Sequence, residues 1–201
     1  MKILIVGGTG TIGSKVAAHF AKGNEVLLAG RSHGALTADI RDAESIRKMF
    51  EKTGPVDAIV CIAGEAKWGP FETLTEEDFY TGIRSKLMGQ VNLVRIGVEY
   101  LTPGGSVTLS TGILADDPVL HTTSAAMVNG GLHSFAMAAA LELKNGHRIN
   151  VVSLGVVEDA YEKYREFFPG HNPIPTPKVI NAYVRSVFGK HNGEIIRVYN
   201  P

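Results

Sequence analysis

The stretch Ile3-Leu4-Ile5-Val6-Gly7-Gly8-Thr9-Gly10-Thr11-Ile12-Gly13 decides the fold of this chain. Its first four residues form a short apolar run, which is typical of a strand buried on both faces. A helical pattern, Ser14 to Lys22, follows the glycines, which elsewhere would be ordinary turn residues. A strand, a glycine-rich turn and a helix in this order predict a dinucleotide site. Glycine lets backbone N–H groups approach a pyrophosphate closely, and the helix N-terminus favours its negative charge.

Length and composition limit the class of protein. The chain has 201 residues, 44% of them hydrophobic, and 20 basic residues balance 20 acidic ones. We therefore expect a single domain over residues 1–201, with no nucleic-acid or membrane partner and a small-molecule substrate instead. The single cysteine, Cys61, excludes an internal disulfide and suits a cytoplasmic protein, and the apolar run ending at Gly7 does not resemble a signal peptide. The seven histidines are scattered, so no metal site is expected.

Short apolar runs alternate with helical patterns along the chain. This order predicts an α/β fold of the Rossmann type, a doubly wound parallel sheet of seven strands with helices on both faces. The predicted strands are Lys2–Val6, Glu25–Ala29, Leu36–Ala38, Ala58–Ile62, Ser106–Ser110, Arg148–Ser153 and Glu194–Val198. The predicted helices are Ser14–Lys22, Ala43–Thr53, Glu76–Tyr100, Ser124–Lys144, Ala160–Phe167 and Lys178–Phe188.

Some local patterns predict how these elements begin and end. Asp42 is a candidate N-cap for the second helix, and Thr75 with Asp78 resembles a capping box for the third. The third helix contains three glycines and is expected to break near Gly82 or Gly89. The proline-rich segment 171–177 is interpreted either as a lid over a ligand site or as a surface connection.

The ends of the second, third and fourth strands carry residues that would select a dinucleotide. Arg31 and Ser32 follow the second strand, where NAD-binding folds usually place an acidic residue; Arg31 instead suits a 2′-phosphate, unless it is merely a solvated charge. We therefore expect NADP(H), with NAD(H) less favoured. Asp39 would accept a hydrogen bond from the adenine amine or cap the helix at Ala43.

These pieces together resemble the short-chain dehydrogenase/reductase family over nearly the whole chain. The resemblance is carried by Gly7-to-Gly13, by Cys61-Ile62-Ala63-Gly64, by Val107-to-Thr111 and by Ser153-to-Val157. In the family's glycine motif, Thr11 replaces the middle glycine and Gly10 supplies one nearby. The resemblance implies that the cofactor is held by Gly7, Thr9, Gly10, Thr11, Ile12, Gly13, Arg31, Ser32, Asp39, Ile40, Ala63, Gly64, Asn129, Gly155 and Val157.

The resemblance fails at the residues that carry the family's catalysis. The family has a tyrosine and, four residues later, a lysine; aligned through Gly130-Gly131, these positions are Ala125 and Asn129. The serine position is Thr111, preceded by Ser110, and the position of a helical asparagine is Lys86. The sequence is therefore identified as an atypical member that lacks the usual Tyr-x-x-x-Lys pair.

Three functional hypotheses follow. The first is an NADP(H)-dependent oxidoreductase with a rearranged proton relay, acting on a small carbonyl or quinone-like substrate; its candidate donors are Lys86, Ser110, Thr111 and His121. The second is a non-catalytic NADP(H)-binding sensor or partner module, and the third a binding module with no nucleotide. Family members commonly pair through helices that correspond here to residues 85–100 and 124–144, so a homodimer or homotetramer is expected.

Overall fold

A seven-stranded, all-parallel sheet forms the centre of the protein, in the order β3-β2-β1-β4-β5-β6-β7. The computed structural model describes residues 1–32 and 34–200. The predicted α/β fold class is confirmed. The strands are β1 (Lys2–Val6), β2 (Glu25–Gly30), β3 (Leu36–Thr37), β4 (Val56–Cys61), β5 (Leu101–Gly112), β6 (Arg148–Leu154) and β7 (Ile195–Val198).

Two predicted strand boundaries were wrong by several residues. β4 begins two residues early and β5 five residues early, because Val56 already pairs with Leu101 ahead of a register shift. The third strand is only two residues long and ends before Ala38, which packs in the core instead. The first strand has the predicted bounds, so the glycine turn begins where the sequence places it.

Helices cover both faces of the sheet. They are α1 (Thr11–Phe20), α2 (Ala43–Thr53), α3 (Glu76–Gly82), α4 (Met88–Gly97), α5 (Thr123–Glu142), α6 (Glu158–Tyr164) and α7 (Thr176–Phe188). The helix α1 begins three residues earlier than predicted, so it starts inside the glycine turn. The helix α7 begins two residues earlier than predicted, because Pro177 fits the first turn of a helix, where a backbone N–H is not needed.

The long helix predicted over residues 76–100 is broken, as its glycines indicated. Its first segment, α3, ends at Gly82, and one π-helical turn over Ile83–Leu87 joins it to α4. The capping box at the start is confirmed: Thr75 Oγ1 accepts from the Asp78 backbone N–H at 3.3 Å, and the Asp78 carboxylate accepts from the Thr75 backbone N–H at 2.9 Å. A π turn places side chains out of helical register and often marks a functional site.

Two apolar layers hold the helices to the sheet. On one face Phe50, Leu93 and Leu132 from α2, α4 and α5 pack against the strands, and on the other Phe20 and Tyr183 from α1 and α7 do so. The polar residues that matter lie at the carboxyl ends of the strands, where β1 and β4 diverge and open sheets form their ligand crevice. Among the described residues, no helix is both long and apolar enough to cross a membrane.

Candidate functional site

The glycine turn after β1 is built for close backbone approach. Gly7 has φ +86°, and a Cβ at this position would lie 2.7 Å from the Ile62 carbonyl oxygen. A Cβ on Gly13 would lie 2.1 Å from the carbonyl oxygen of Gly7, so the helix can pack on the turn only without a side chain there. Gly10 caps α1 with no side-chain hydrogen bond, which leaves first-turn N–H groups for an anionic ligand.

A cleft of about 320 Å³ opens beside this turn. It is lined by the turn, by the ends of β2 and β4, and by the segment after β3. The predicted residues found together here are Gly7, Thr9, Gly10, Arg31, Asp39, Ile40, Ala63 and Gly64. We call this space the adenosine cleft, because the ends of the second and third strands bind adenosine in folds of this type.

Two arginines lie in the adenosine cleft, although the sequence analysis identified only Arg31. The second, Arg41, donates from Nη2 and Nε to the Asp39 carboxylate at 2.6–3.1 Å. These hydrogen bonds hold the pKa of Asp39 below its usual value. The proposed capping role of Asp39 was wrong, because Asp42 caps α2 by accepting from the Glu44 N–H at 2.9 Å. The missed signal was a second basic residue just beyond the third strand.

A second cleft, of about 310 Å³, continues along the same edge of the sheet and shares Ile62 with the first. We call it the nicotinamide cleft, after the half of the dinucleotide that the sequence resemblance predicts at this part of the sheet edge. Of the predicted residues it contains Ile12, Lys86, Ser110, Thr111, Gly155 and Val157. Its remaining lining is largely apolar or aromatic, from Trp68, Gly112, Ile113, Leu114, Leu154, Val156, Ala160, Tyr164, Phe168 and Tyr183.

Lys86 reaches the nicotinamide cleft from the π turn between α3 and α4. The backbone of Lys86 packs on Gly64, whose φ is +120°; a Cβ there would lie 2.8 Å from the Lys86 Cα. Burial lowers the pKa of Lys86, since a low-dielectric surrounding disfavours the charged ammonium. Lys86 is the one formally charged side chain among the described residues that line this cleft.

The two hydroxyls at the end of β5 have different partners. Ser110 Oγ lies 2.5 Å from the Cys61 carbonyl oxygen and 2.8 Å from the Tyr183 hydroxyl. Thr111 Oγ1 lies 2.8 Å from His133 Nε2, on α5. Sequence reasoning missed both Tyr183 and His133. The sequence gives little indication of either, because each lies in a helix far along the chain from β5 and fits an ordinary helical pattern.

The residues at the family's tyrosine and lysine positions are buried rather than exposed to the cleft. Ala125 and Asn129 are 3% exposed, and neither is among the residues that line the two clefts. The side-chain oxygen of Asn129 has no hydrogen-bond partner among the described residues. The expectation that Asn129 contacts a cofactor therefore has no direct support in the lining of either cleft.

His121 lies outside both clefts. It borders a separate cavity of about 550 Å³, together with Asp117 and His171, and its backbone has φ +68°. Its candidacy as a donor to a ligand in the nicotinamide cleft is wrong for this reason. Thr11 and Gly13 belong to the first turns of α1, and Ser32 is exposed beyond β2; these three do not line the clefts themselves.

The proline-rich segment 171–177 does not lie over the ligand site. Ile174 is fully buried, and it exchanges hydrogen bonds with the Gly155–Glu158 region through the Val156 carbonyl at 2.8 Å and the Glu158 N–H at 3.0 Å. The segment lines neither cleft, so the interpretation as a lid was wrong; it is a connection, as the second interpretation held, but one anchored in the core by Ile174. Tyr164 and Phe168, which precede it, line the cleft instead. The described residues contain no cluster able to hold a metal ion.

Comparison with known proteins assigns the family. Residues 11–172 match the family model described as Enoyl-(Acyl carrier protein) reductase. The chain belongs to the short-chain dehydrogenase/reductase family. The protein lin1944 from Listeria innocua is 47% identical, with a TM-score of 0.97 over 99% of this chain and all of that one.

More distant relatives of this chain carry functional names. A small-chain dehydrogenase solved in complex with NADPH is 25% identical, with a TM-score of 0.88 over 99% of this chain and 96% of the other. The hydroxynaphthalene reductase-like protein Arp2 of Metarhizium brunneum is 26% identical over 152 residues, which are 69% of this chain and 55% of that protein. The chain thus spans about half the length of the curated relatives it matches.

Proposed function

We propose that the chain is an NADP(H)-dependent oxidoreductase with a rearranged active site, acting on a small carbonyl or quinone-like substrate. The observation that carries the proposal is the pair of clefts joined at Ile62 along the carboxyl edge of the sheet. One has a glycine turn and arginines, and the other has a lysine and hydroxyls beside an apolar wall. These are the two halves that a dinucleotide and its substrate require.

The glycine turn fits a dinucleotide. The positions of Gly7, Gly13 and Gly64 admit no Cβ, because the turn, the start of α1 and the end of β4 pack against neighbouring backbone at close range. Gly7, Thr9, Gly10 and the first turn of α1 would hold the phosphates, and Gly155 with Val157 would pack against the nicotinamide ring. The cofactor, when bound, supplies or accepts the hydride.

The preference for NADP(H) over NAD(H) rests on charge. Arg31 and Arg41 place two guanidinium groups at the adenosine cleft, and a guanidinium pairs with a phosphate through charge-assisted hydrogen bonds. Arg41 is already paired with Asp39, whereas Arg31 has only a 3.7 Å contact to Glu65. Arg31 is therefore the group proposed to meet a 2′-phosphate, and the NADPH complex of the 25% identical dehydrogenase supports this choice.

The substrate class follows from the wall of the nicotinamide cleft. Trp68, Tyr164 and Phe168 form an aromatic wall, with ring centroids of Trp68 and Tyr164 5.5 Å apart. No carboxylate lines the cleft among the described residues, and its polar side chains include Lys86 and Thr111. A flat, uncharged carbonyl compound or quinone would bury its ring against the wall and point its oxygen at those groups.

The active site is proposed to work without the family's tyrosine and lysine. Ala125 has no proton to give, and Asn129 has no charge with which to lower a neighbour's pKa. A quinone-like acceptor would need little acid catalysis, because its reduced form is a stable hydroquinone anion. The same absence favours a second candidate, a non-catalytic NADP(H)-binding sensor, in which the clefts bind the nucleotide and no chemistry follows.

One experiment separates these functions. Trp68 is the only tryptophan, and it lines the nicotinamide cleft, so its fluorescence reports NADPH arrival by energy transfer to the reduced nicotinamide. Titration should show tighter binding of NADPH than of NADH, and Arg31→Asp should reverse that order by about tenfold or more. NADPH absorbance is then followed with a panel of carbonyls and quinones. Binding without oxidation would favour the sensor, and no binding of either nucleotide would overturn both candidates.

A further inference from the structure

Ser110 and Thr111 both face the nicotinamide cleft, but only one of them has a free route for its proton. The carbonyl of Cys61 can only accept, so the Ser110 hydroxyl donates to it across 2.5 Å. The Tyr183 hydroxyl must then donate to Ser110 Oγ. Tyr183 is fully buried, and burial raises its pKa, so this chain of hydrogen bonds ends in a group that does not exchange protons near neutral pH.

The hydroxyl of Thr111 has a different partner. Its Oγ1 lies 2.8 Å from Nε2 of His133, and both residues are 6% exposed. Imidazole can take a proton on one ring nitrogen while it gives one from the other, which no other neutral side chain does near neutral pH. The position that replaces the family's serine is thus connected to a group able to pass protons.

We propose that His133 is a proton-relay residue that exchanges the hydroxyl proton of Thr111 while a carbonyl in the nicotinamide cleft is reduced or its alcohol oxidised. This inference rests on the proposed oxidoreductase function. Thr111 touches the substrate, and His133 acts through it. The relay supplies what Ala125 cannot, a proton for the oxygen of the reacting carbonyl.

Reduction of a carbonyl to an alcohol requires one hydride and one proton. Hydride from NADPH forms the new C–H bond as the carbonyl π bond breaks, and NADP⁺ remains. The carbonyl oxygen takes the Thr111 proton, Thr111 Oγ1 takes the proton from His133 Nε2, and His133 Nδ1 takes one from solvent. The imidazole ends as the other neutral tautomer. In the oxidation direction every proton moves the opposite way, and Thr111 must give its proton to an unprotonated His133 Nε2.

Among the charged and titratable groups in this cluster, His133 is the one whose charge changes in the weakly acidic range. Burial lowers its pKa from the ordinary 6.5; Asp116, from the loop after β5, opposes this shift, and Arg197, from β7, adds to it. The hydrogen bond from Arg197 holds the pKa of Asp116 below its usual value. The Tyr199 hydroxyl also donates to Asp116, and burial raises the pKa of Tyr199 to about 12. None of these three neighbours changes charge between pH 5 and 9. Oxidation should therefore lose rate as the pH falls through the pKa of His133, below about 6.5.

The kinetic test compares two buried histidines. His133→Gln keeps a hydrogen-bonding side chain but cannot pass a proton, whereas His147→Gln, at a residue also 6% exposed but lining neither cleft, is the matched control. With a ketone or aldehyde substrate from the NADPH panel, whose reduction needs a proton, His133→Gln should lower kcat by about 10²-fold or more. KM and the NADPH affinity from Trp68 fluorescence should change little. The acidic limb of the oxidation profile should disappear in His133→Gln and persist in His147→Gln.

A second readout needs no turnover. The ring ¹⁵N shifts of His133 report its tautomer and its titration by NMR. Thr111→Val removes the hydroxyl and should change both, whereas Thr111→Ser keeps the hydroxyl and should preserve them. If His133→Gln does not fold, the same Thr111 pair carries the kinetic test, with Ser retaining turnover and Val losing it.

The outcomes distinguish the relay from the function on which it rests. If His133→Gln turns over a ketone or aldehyde at the wild-type rate with an unchanged pH profile, the relay is overturned and the oxidoreductase function stays intact. Unchanged His133 shifts in Thr111→Val would also overturn it. If the wild-type protein fails to oxidise NADPH with every carbonyl and quinone in the panel, the proposed oxidoreductase function and the relay are overturned together.

Discussion

The guanidinium of Arg31 faces the carboxylate of Glu65 at 3.7 Å, and both side chains line the adenosine cleft. They come from the ends of β2 and β4, on either side of the glycine turn. Both are more than half exposed, so the pair contributes little to the stability of the fold. The pair matters for cofactor binding, because a 2′-phosphate would compete with the Glu65 carboxylate for the Arg31 guanidinium.

Glu65→Gln is therefore expected to tighten NADPH binding. The substitution removes the carboxylate that competes for Arg31 and repels the phosphate, and it should improve NADPH affinity severalfold, within about fivefold, while NADH affinity changes less. Glu44→Gln is the control, since Glu44 makes a similarly exposed 3.6 Å ion pair with Lys48 on α2. Trp68 fluorescence titration measures both. Weaker NADPH binding in Glu65→Gln would mean that Glu65 itself contacts the cofactor.

Gly13→Ala tests the glycine turn directly. A Cβ there would lie 2.1 Å from the Gly7 carbonyl oxygen, so α1 must move away from the turn. Overpacking of this kind typically costs about 1–3 kcal/mol, and we expect a lower melting temperature together with a loss of NADPH binding. Gly23→Ala is the control, because a Cβ at Gly23 meets no atom within 4 Å. If Gly13→Ala binds NADPH with wild-type affinity, the glycine turn is not part of the cofactor site.

Lys86→Ala separates two roles for the lysine. If Lys86 gives a proton or orients the substrate, turnover should collapse while NADPH affinity changes little. If it holds the nicotinamide ribose, NADPH affinity should fall instead. Burial already lowers the pKa of Lys86, so its protonated form is lost as the pH rises toward that lowered value, and a donor role predicts turnover that falls on the alkaline side. If the loss of turnover at alkaline pH persists in Lys86→Ala, that loss arises from the titration of another group.

Restoring the family's pair should restore the family's chemistry. Ala125→Tyr with Asn129→Lys introduces a proton donor and a charge, and ketone reduction should rise by up to about 10²-fold where the protein still folds. Both sites are 3% exposed, so the added side chains must find room at the cleft, and the melting temperature reports whether they do. If the double variant folds but gains no ketone reductase activity, the reacting carbonyl does not bind within reach of residue 125.

The outer face of α5 is expected to form a homodimer or tetramer contact. Met127, Met137 and Leu141 are 45%, 49% and 88% exposed, and a Cβ on Gly130 meets no atom within 4 Å. An exposed apolar stripe on one helix is typical of a helix-to-helix interface. Met127→Glu with Leu141→Glu should lower the mass measured by light scattering at micromolar concentration, with Glu142→Lys as the control. A monomeric wild type would contradict the expectation.

The sequence by itself determined the parallel sheet and the glycine turn, and it predicted the residues of the proposed cofactor site. These features depend on local signals: apolar runs, glycines at fixed positions and a basic residue at a strand end. The capping box at Thr75 and the break at Gly82 were equally local, and both are confirmed. Strand ends were less certain, because pairing such as that of Val56 with Leu101 depends on a neighbour 45 residues away.

Only the tertiary structure decided which hydroxyl has a proton route. Ser110 and Thr111 are adjacent and chemically alike in the sequence, yet one points to Tyr183 on α7 and the other to His133 on α5. Likewise Arg41 is committed to Asp39, whereas Arg31 is not. Such differences arise from packing between elements far apart in the chain, and hydrogen-bond partners of that kind have no fixed spacing that a sequence pattern could reveal.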